Sequence, residues 1–430
     1  MDFTTQDSAA LDKIERQAAE RYEALSRRNL QLDMTRGKPA PEQLDLSDGI
    51  LGVVGPGDCI GSDGTDYRNY GILAGIPEAK AFFAAYMEVE PDDIIVGGNS
   101  SLTMMYDAIA GAALFGVPGG SGPWRDQGTV KFLCPVPGYD RHFAICERLG
   151  FEMVTIEMKD GGPEMDAVEA LVAEDEGIKG IWCVPKYSNP TGIVYSDAVV
   201  DRLASMKTAA PDFRIIWDNA YAYHHLGSGP ASVKHILKAC NEAGTPDRPL
   251  LFGSTSKITH AGAGIAMLAA SPDNIADATK KLFYSSIGPD KINQLRHVRF
   301  FGDLDGLIAH MDRLAAIMAP KFAAVDGALE RHLAGKDIAT WTKPEGGYFV
   351  SVDLVDGCAA EVVRLAGDVG VKLTPAGATY PLGHDPRDRN LRLAPTMPSV
   401  GEVEQAMEVF CNCVELASAR KLREMSARSK

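Results

Sequence analysis

Several polar residues follow directly on apolar runs, and their types suit one small molecule. Lys257 lies in LFGSTSKITHAGAG, between small hydroxyl residues and ahead of a Gly/Ala-rich turn. A lysine in so apolar a setting loses hydration of its charged form, so its pKa falls and the free amine can form a Schiff base with an aldehyde. Asp218 closes the run Arg-Ile-Ile-Trp. A carboxylate there is costly to bury unless it meets a positive charge, and a protonated pyridine nitrogen is such a partner. Asn189, in Asn189-Pro190-Thr191-Gly192, sits on a turn fixed by proline and glycine and can donate to a phenolate oxygen. Ser100 and Ser101 follow Gly97-Gly98-Asn99 at the start of a helical pattern. Free backbone N–H groups and the helix dipole suit an anion there, and an ordinary N-cap has the same signature. Tyr139 follows the rigid turn Pro135-Val136-Pro137-Gly138 and offers a face for stacking on a flat ring, or for packing alone.

These residues are useful together only if the fold gathers them. Short apolar runs at 93–96, 130–134, 152–156, 180–184, 214–218, 250–254 and 265–269 read as strands covered on both faces, because they do not alternate. Helical patterns intervene near 102–114, 141–149, 165–173 and 196–208. The expected fold class is α/β, a large domain with a mostly parallel seven-stranded sheet and a smaller α+β domain. Ligands in such sheets gather at the carboxyl ends of the strands, where every residue named above falls. The chemistry they fit jointly is that of pyridoxal phosphate, whose phosphate, ring nitrogen and aldehyde a protein must hold.

The rest of the chain sets bounds. At 430 residues it exceeds one typical core. The expected organisation is an N-terminal helix and arm over 1–45 packing on the small domain, a cofactor domain over 46–295 and a small domain over 296–430. The helical reading covers 8–30 at the start, one long tract over 291–333, and a last helix from about 400, with an edge or hairpin region at WTKPEGGYFVSVDL. A net charge of -15 argues against nucleic acid or an anionic membrane as partner. No uncharged apolar run approaches the roughly 18 residues of a membrane span, and the acidic, amphipathic start lacks an apolar signal core. A cytoplasmic protein is expected. Eight scattered cysteines form no CxxC pair and His224-His225 is the only histidine doublet, so no metal site is expected.

Asn189-Pro190-Thr191-Gly192, Asp218-x-Ala-Tyr221 and Ser254-x-Ser-Lys257 resemble the three signature motifs of the class I aminotransferases, fold-type I pyridoxal-phosphate enzymes, and the resemblance runs over nearly all the chain after the first helix. It implies that Lys257 carries the cofactor and moves the substrate proton, and that Asp218 pairs with the ring nitrogen. It further implies that Asn189 and Tyr221 bond the ring oxygen, Tyr139 stacks on the ring, and Ser100, Ser101 and Ser254 hold the phosphate. Tyr70 matches the tyrosine that reaches a phosphate across a homodimer interface. Arg392, in Asn390-Leu391-Arg392-Leu393-Ala394, matches the arginine that grips a substrate carboxylate with two parallel bonds. Gly37-Lys38-Pro39 resembles the family's Gly-x-Pro turn, which implies that Gly37 brings backbone N–H close to that carboxylate.

One departure is plain. Most relatives place an arginine seven or eight residues after the lysine, whereas 258–273 here holds no basic residue but His260. Arg68 and His260 are the candidate replacements. LDMTRGKPAPEQLDLS and STSKITHAGAG are similar to a bacterial subgroup of aspartate aminotransferases sharing this gap. The implied substrates are an amino acid and a 2-oxo acid, aspartate and 2-oxoglutarate first. A side-chain carboxylate then needs a second cation, for which Arg36, Lys38, Lys186, Arg296 and Arg299 are candidates. The alternatives are another amino donor, lyase chemistry on the same scaffold, or a ligand-sensing aminotransferase-like protein.

Overall fold

The computed structural model describes residues 2–227 and 229–428. Its strands, in chain order, are β1 (Leu32–Met34), β2 (Ile94–Val96), β3 (Lys131–Val136), β4 (Glu152–Lys159), β5 (Gly162–Pro163), β6 (Ile178–Cys183), β7 (Arg214–Asp218), β8 (Pro249–Ser254), β9 (Ala266–Ala270), β10 (Ala339–Trp341), β11 (Val350–Leu354), β12 (Val371–Leu373) and β13 (Asn390–Leu393). Eight of them form one sheet in the order β2-β9-β8-β7-β6-β3-β4-β5. From β8 through β7, β6 and β3 to β4 the pairing is parallel, while β9 runs against both β8 and β2. Every residue of β6, β7, β8 and β9 is buried, which is why their sequences do not alternate. All seven expected strands are present. The eighth, β5, is a two-residue return from β4 through a turn whose Gly161 has φ +83°, too short to register as an apolar run.

The expected helices form at Ser101–Phe115, Asp140–Leu149, Met165–Glu174 and Asp197–Ser205, but Ile236–Glu242 and Pro272–Ser285 went unread. The tract read as one helix is two, Lys291–Phe301 and Leu304–Leu333. Gly302 (φ +75°) ends the first, and the Asp303 carboxylate accepts the Gly306 N–H to cap the second. The first helix stops at Ser26 rather than near 30, with Asn29 in a left-handed conformation shortly after.

Beyond the long helix lie a three-stranded antiparallel sheet, β10-β11-β13, and a parallel pair, β1 with β12. The expected hairpin region holds Trp341 of β10 opposite Val352 of β11. The helix Ser8–Ser26 lies along Val400–Arg428, with Arg28 on Glu408 at 2.6 Å and Arg423 on Glu15 at 2.9 Å. Those pairs are partly exposed and contribute at most about 1 kcal/mol each. Leu11 and Leu25, buried in the same contact, contribute about 1.5–3 kcal/mol each. The apolar stripe therefore fixes the helix, and the arginines follow. Helix Leu304–Leu333 joins two cores: Leu307, Met311 and Leu314 pack with the sheet, while Val325, Leu329 and Leu333 pack with Val352, Val403 and Phe410. Val184, Tyr187 and Tyr221 reach into that second cluster, so the sheet's carboxyl ends face the seam between the cores. No helix among the described residues is long and apolar enough to cross a membrane.

Candidate active site

A cavity of about 170 Å³ opens at those strand ends. Ser100, Ser101, Tyr139, Asn189, Asp218, Tyr221, Ser254 and Lys257 all line it. Each arrives on its own connection: the serines after β2, Tyr139 after β3, Asn189 after β6, Asp218 and Tyr221 from the end of β7, and Ser254 and Lys257 from the end of β8. Ser100 is also the N-cap of helix Ser101–Phe115, accepting the Thr103 N–H at 3.4 Å. The cap and the cavity wall are thus one residue. Ser256 Oγ donates to the Asn99 carbonyl at 3.1 Å, tying the lysine loop to the loop after β2.

The Lys257 amine lies 5.0 Å from the Tyr221 ring centroid and 5.8 Å from that of Tyr348. Burial holds its pKa below the usual lysine range, and Asp218 opposes the shift. Part of the side chain is reached through the cavity, but the amine lies against two tyrosine rings, which offer the ammonium little hydration. Burial likewise raises the phenols, Tyr139 to about 12 and Tyr221 well above its ordinary value, so both are neutral donors.

Asp218 is buried, and its two oxygens differ. Oδ2 is 3.1 Å from His142 Nε2, while Oδ1 is enclosed with no hydrogen-bond partner. An orphaned carboxylate oxygen is expensive to bury. A protonated ring nitrogen reaching into the cavity would satisfy it, and the helix N-terminus at Ser100 and Ser101 suits a phosphate at the other end. The residues present therefore fit pyridoxal phosphate. His142 stacks on Trp182 (4.3 Å between centroids, 10° between planes) and meets Tyr139 edge-on at 4.9 Å. To donate to a carboxylate, His142 must carry its proton on Nε2. Sequence reasoning missed His142, although its place one helical turn after Tyr139 was a usable signal. It also missed His224 and Tyr348, which both bond the Lys257 carbonyl, at 3.3 and 3.4 Å. Burial lowers the His224 pKa to about 3, so the ring is neutral and its Nε2 must hold the proton that meets the carbonyl.

Arg392 arrives from the other side of the seam, on β13. Buried at 8% exposure, it lies over the Phe349 ring at 4.9 Å and donates from Nη1 to Asn189 Oδ1 at 3.3 Å. Gly37 packs on the same ring: a Cβ there would stand 2.6 Å from Phe349 Cζ, so a side chain would push the platform beneath the guanidinium.

Arg68 and Tyr70 are elsewhere. They line a separate recess with Ile287, Pro289 and Ile292, Tyr70 is 79% exposed, and Arg68 is held by Asp66 at 2.6 Å. His260 is 3.3 Å from Asp48, and Lys257 is the one basic side chain lining the cavity among the described residues. Of the candidates for a second cation, Lys186 faces a different cavity, its amine 5.9 Å from the Tyr223 ring and its pKa lowered by burial to about 8. Arg299 is spent on the Asp58 carbonyl at 2.8 Å. Arg36 and Lys38 are exposed, and Arg296 Nε is enclosed without a partner. The histidine doublet is engaged separately, His224 on the lysine carbonyl and His225 on Asp312 at 2.8 Å.

A family model described as aspartate amino-transferase matches residues 6–426. An aspartate aminotransferase of Corynebacterium glutamicum is 48% identical over 399 residues, covering 93% of this chain and 92% of that protein. A crystal structure of an aspartate transaminase from Corynebacterium glutamicum superposes with a TM-score of 0.96 at 45% identity, covering 98% of this chain and 99% of that one. A 2-aminoadipate transaminase of Thermus thermophilus is 24% identical over 355 residues, 82% of each chain. With the family model spanning nearly the whole chain and the sheet, cavity and lysine in agreement, this chain belongs to the fold-type I pyridoxal-phosphate aminotransferases, close to a bacterial subgroup of aspartate aminotransferases.

Proposed function

We propose that the protein transfers the amino group of aspartate to 2-oxoglutarate by a ping-pong reaction, oxaloacetate leaving before the second acid enters. The observation that carries the catalytic reading is the pairing, in one cavity, of the desolvated Lys257 amine with the unpartnered Asp218 Oδ1. Bound pyridoxal phosphate supplies the electron sink. Lys257 would hold the cofactor's aldehyde end through its amine and would move the substrate α-proton, holding it at Nζ. Asp218 keeps the ring nitrogen protonated and is itself oriented by His142. Asn189 and Tyr221 donate to the ring oxygen, Tyr139 covers the ring face, and Ser100, Ser101 and Ser254 receive the phosphate. Arg392 takes the substrate carboxylate, with Gly37 leaving room beside it.

Aspartate as donor is supported by the Corynebacterium glutamicum relative, which carries that name over 93% of this chain. The test is a single half-reaction on the cofactor-loaded protein, following loss of the visible band with aspartate, alanine, tyrosine and kynurenine. Aspartate is expected to react at least roughly tenfold faster than the others, a margin that one extra charge-assisted hydrogen-bond pair supplies. Equal rates would leave a broad-specificity aminotransferase.

The phosphate needs a cation that the single-chain cavity does not supply. Tyr70 and Arg68 stand together on an exposed recess, and Ile287 beside them is 64% exposed, as are Phe283 and Tyr284 nearby in sequence at 70% and 80%. In the proposed homodimer this apolar face is covered, and Tyr70 and Arg68 enter the partner's site. Arg68→Ala is expected to weaken cofactor affinity by roughly 10- to 100-fold, the cost of one charge-assisted phosphate contact, while His260→Ala changes it little. Equilibrium dialysis of pyridoxal phosphate measures both, and the reverse ranking would move the role to His260.

A further inference from the structure

Arg392 already holds a carboxylate. Its Nη1 donates to Asp140 Oδ1 at 2.9 Å as well as to Asn189, while its Nε is enclosed with no acceptor. Asp140 directly follows Tyr139 and is the first residue of helix Asp140–Leu149, so its backbone is fixed by the helix. Its side chain remains 39% exposed, against 8% for Arg392. The pair therefore has one fixed, desolvated member and one that can turn to water.

A substrate carboxylate binds a guanidinium best through two parallel N–H···O bonds. Here it would find Nη1 engaged and a like charge beside it. We propose that Asp140 is an internal competitor for the carboxylate pocket: it occupies Arg392 until a substrate carboxylate replaces it, and so sets the pocket's affinity and its preference for two-point anions. The proposal rests on the reading of Arg392 as the carboxylate anchor. An anion that can make only one contact, such as chloride, gains too little to displace Asp140, whereas a bidentate carboxylate gains a second bond that offsets the exchange. Asp140 itself swings toward solvent, which its exposure allows, and avoids facing the incoming charge.

The probe is succinate, a dicarboxylate with no amino group to transfer, titrated calorimetrically into the cofactor-loaded protein. Asp140→Asn keeps the size and removes the charge. Losing a part-exposed competitor worth about 1 kcal/mol should tighten succinate binding by roughly five- to tenfold. The KM for the amino donor should fall in proportion while kcat moves by roughly twofold or less, because uniform binding has changed rather than the chemical step. Asp140→Glu, which restores a carboxylate, should bring succinate affinity back toward the parent value, and chloride should inhibit the Asn variant at lower concentration than the parent. If the Asn variant binds succinate no better than the parent, or worse, Asp140 merely positions Arg392 and the proposal is overturned. A protein that takes up no visible chromophore would instead sink the cofactor reading, and the same succinate titration of the cofactor-free parent and Asn variant would then decide the role of Asp140.

Discussion

Lys257→Ala lowers the rate of amino transfer from aspartate by at least roughly 10⁴-fold, the combined loss of a positioned proton carrier and a covalent amine. No other side chain lining the cavity among the described residues is expected to take over: the tyrosines there are neutral phenols, and Asp218 is the proposed partner of the ring nitrogen. The stability of the variant separates this from misfolding. The native lysine is held below its usual pKa by burial, so the folded state binds fewer protons than the unfolded chain between that depressed value and the ordinary one. Within that window stability rises with pH, and below it the protein carries the full cost of an amine kept from water. Alanine removes the cost. In the absence of cofactor the variant is therefore expected to melt no lower than the parent, and at neutral pH somewhat higher. Single-turnover absorbance with aspartate and a melting curve measure the two effects. An alanine variant that retains activity within tenfold of the parent would falsify the assignment of Lys257.

The strand ends were legible before the fold was, because buried parallel strands write themselves as unbroken apolar runs and the polar residue after each run stands out. Asp218 and Lys257 were found this way, and Asn189 with them. What escaped notice has physical reasons. β5 is two residues long and carries no apolar signature, and Ile236–Glu242 is two turns of mixed polarity. The break at Gly302-Asp303 is two residues in a tract that otherwise keeps helical spacing on both sides. At the site, His142 and His224 act through partners distant in sequence, 76 and 33 residues away. A single sequence does not say which distant partner such a residue meets, although the spacing of His142 from Tyr139 marks it as a neighbour of the site. Lys186 misled for the opposite reason: it sits three residues before Asn189, yet the turn between them sends its amine to another cavity. Side-chain direction at a turn is set by backbone dihedrals that composition does not reveal.

Asp218→Asn separates the two halves of that residue's role, because stability and catalysis are expected to move in different directions. In the parent, His142 satisfies Oδ2 alone, and Oδ1 is a buried acceptor with no partner. The cofactor-free protein thus carries part of the cost of an imperfectly paired buried charge. The asparagine side chain has the same shape, keeps an oxygen for the His142 N–H, and removes the charge. Without cofactor the variant is expected to melt at the parent's temperature or a few degrees higher, a shift of about 1 kcal/mol or less. With cofactor the order reverses. The amide cannot hold the ring nitrogen protonated, so the electron sink weakens and amino transfer falls by roughly 10²- to 10³-fold, about 3–4 kcal/mol in the barrier. Cofactor affinity drops as well, and the rise in melting temperature on adding pyridoxal phosphate shrinks in proportion to the lost binding energy. Melting curves with and without cofactor, beside single-turnover rates, give all three quantities on one preparation. A variant destabilised equally in both states would mean that Asp218 serves the fold through His142 and Trp182. A rate within threefold of the parent would mean that the ring nitrogen does not meet this oxygen at all.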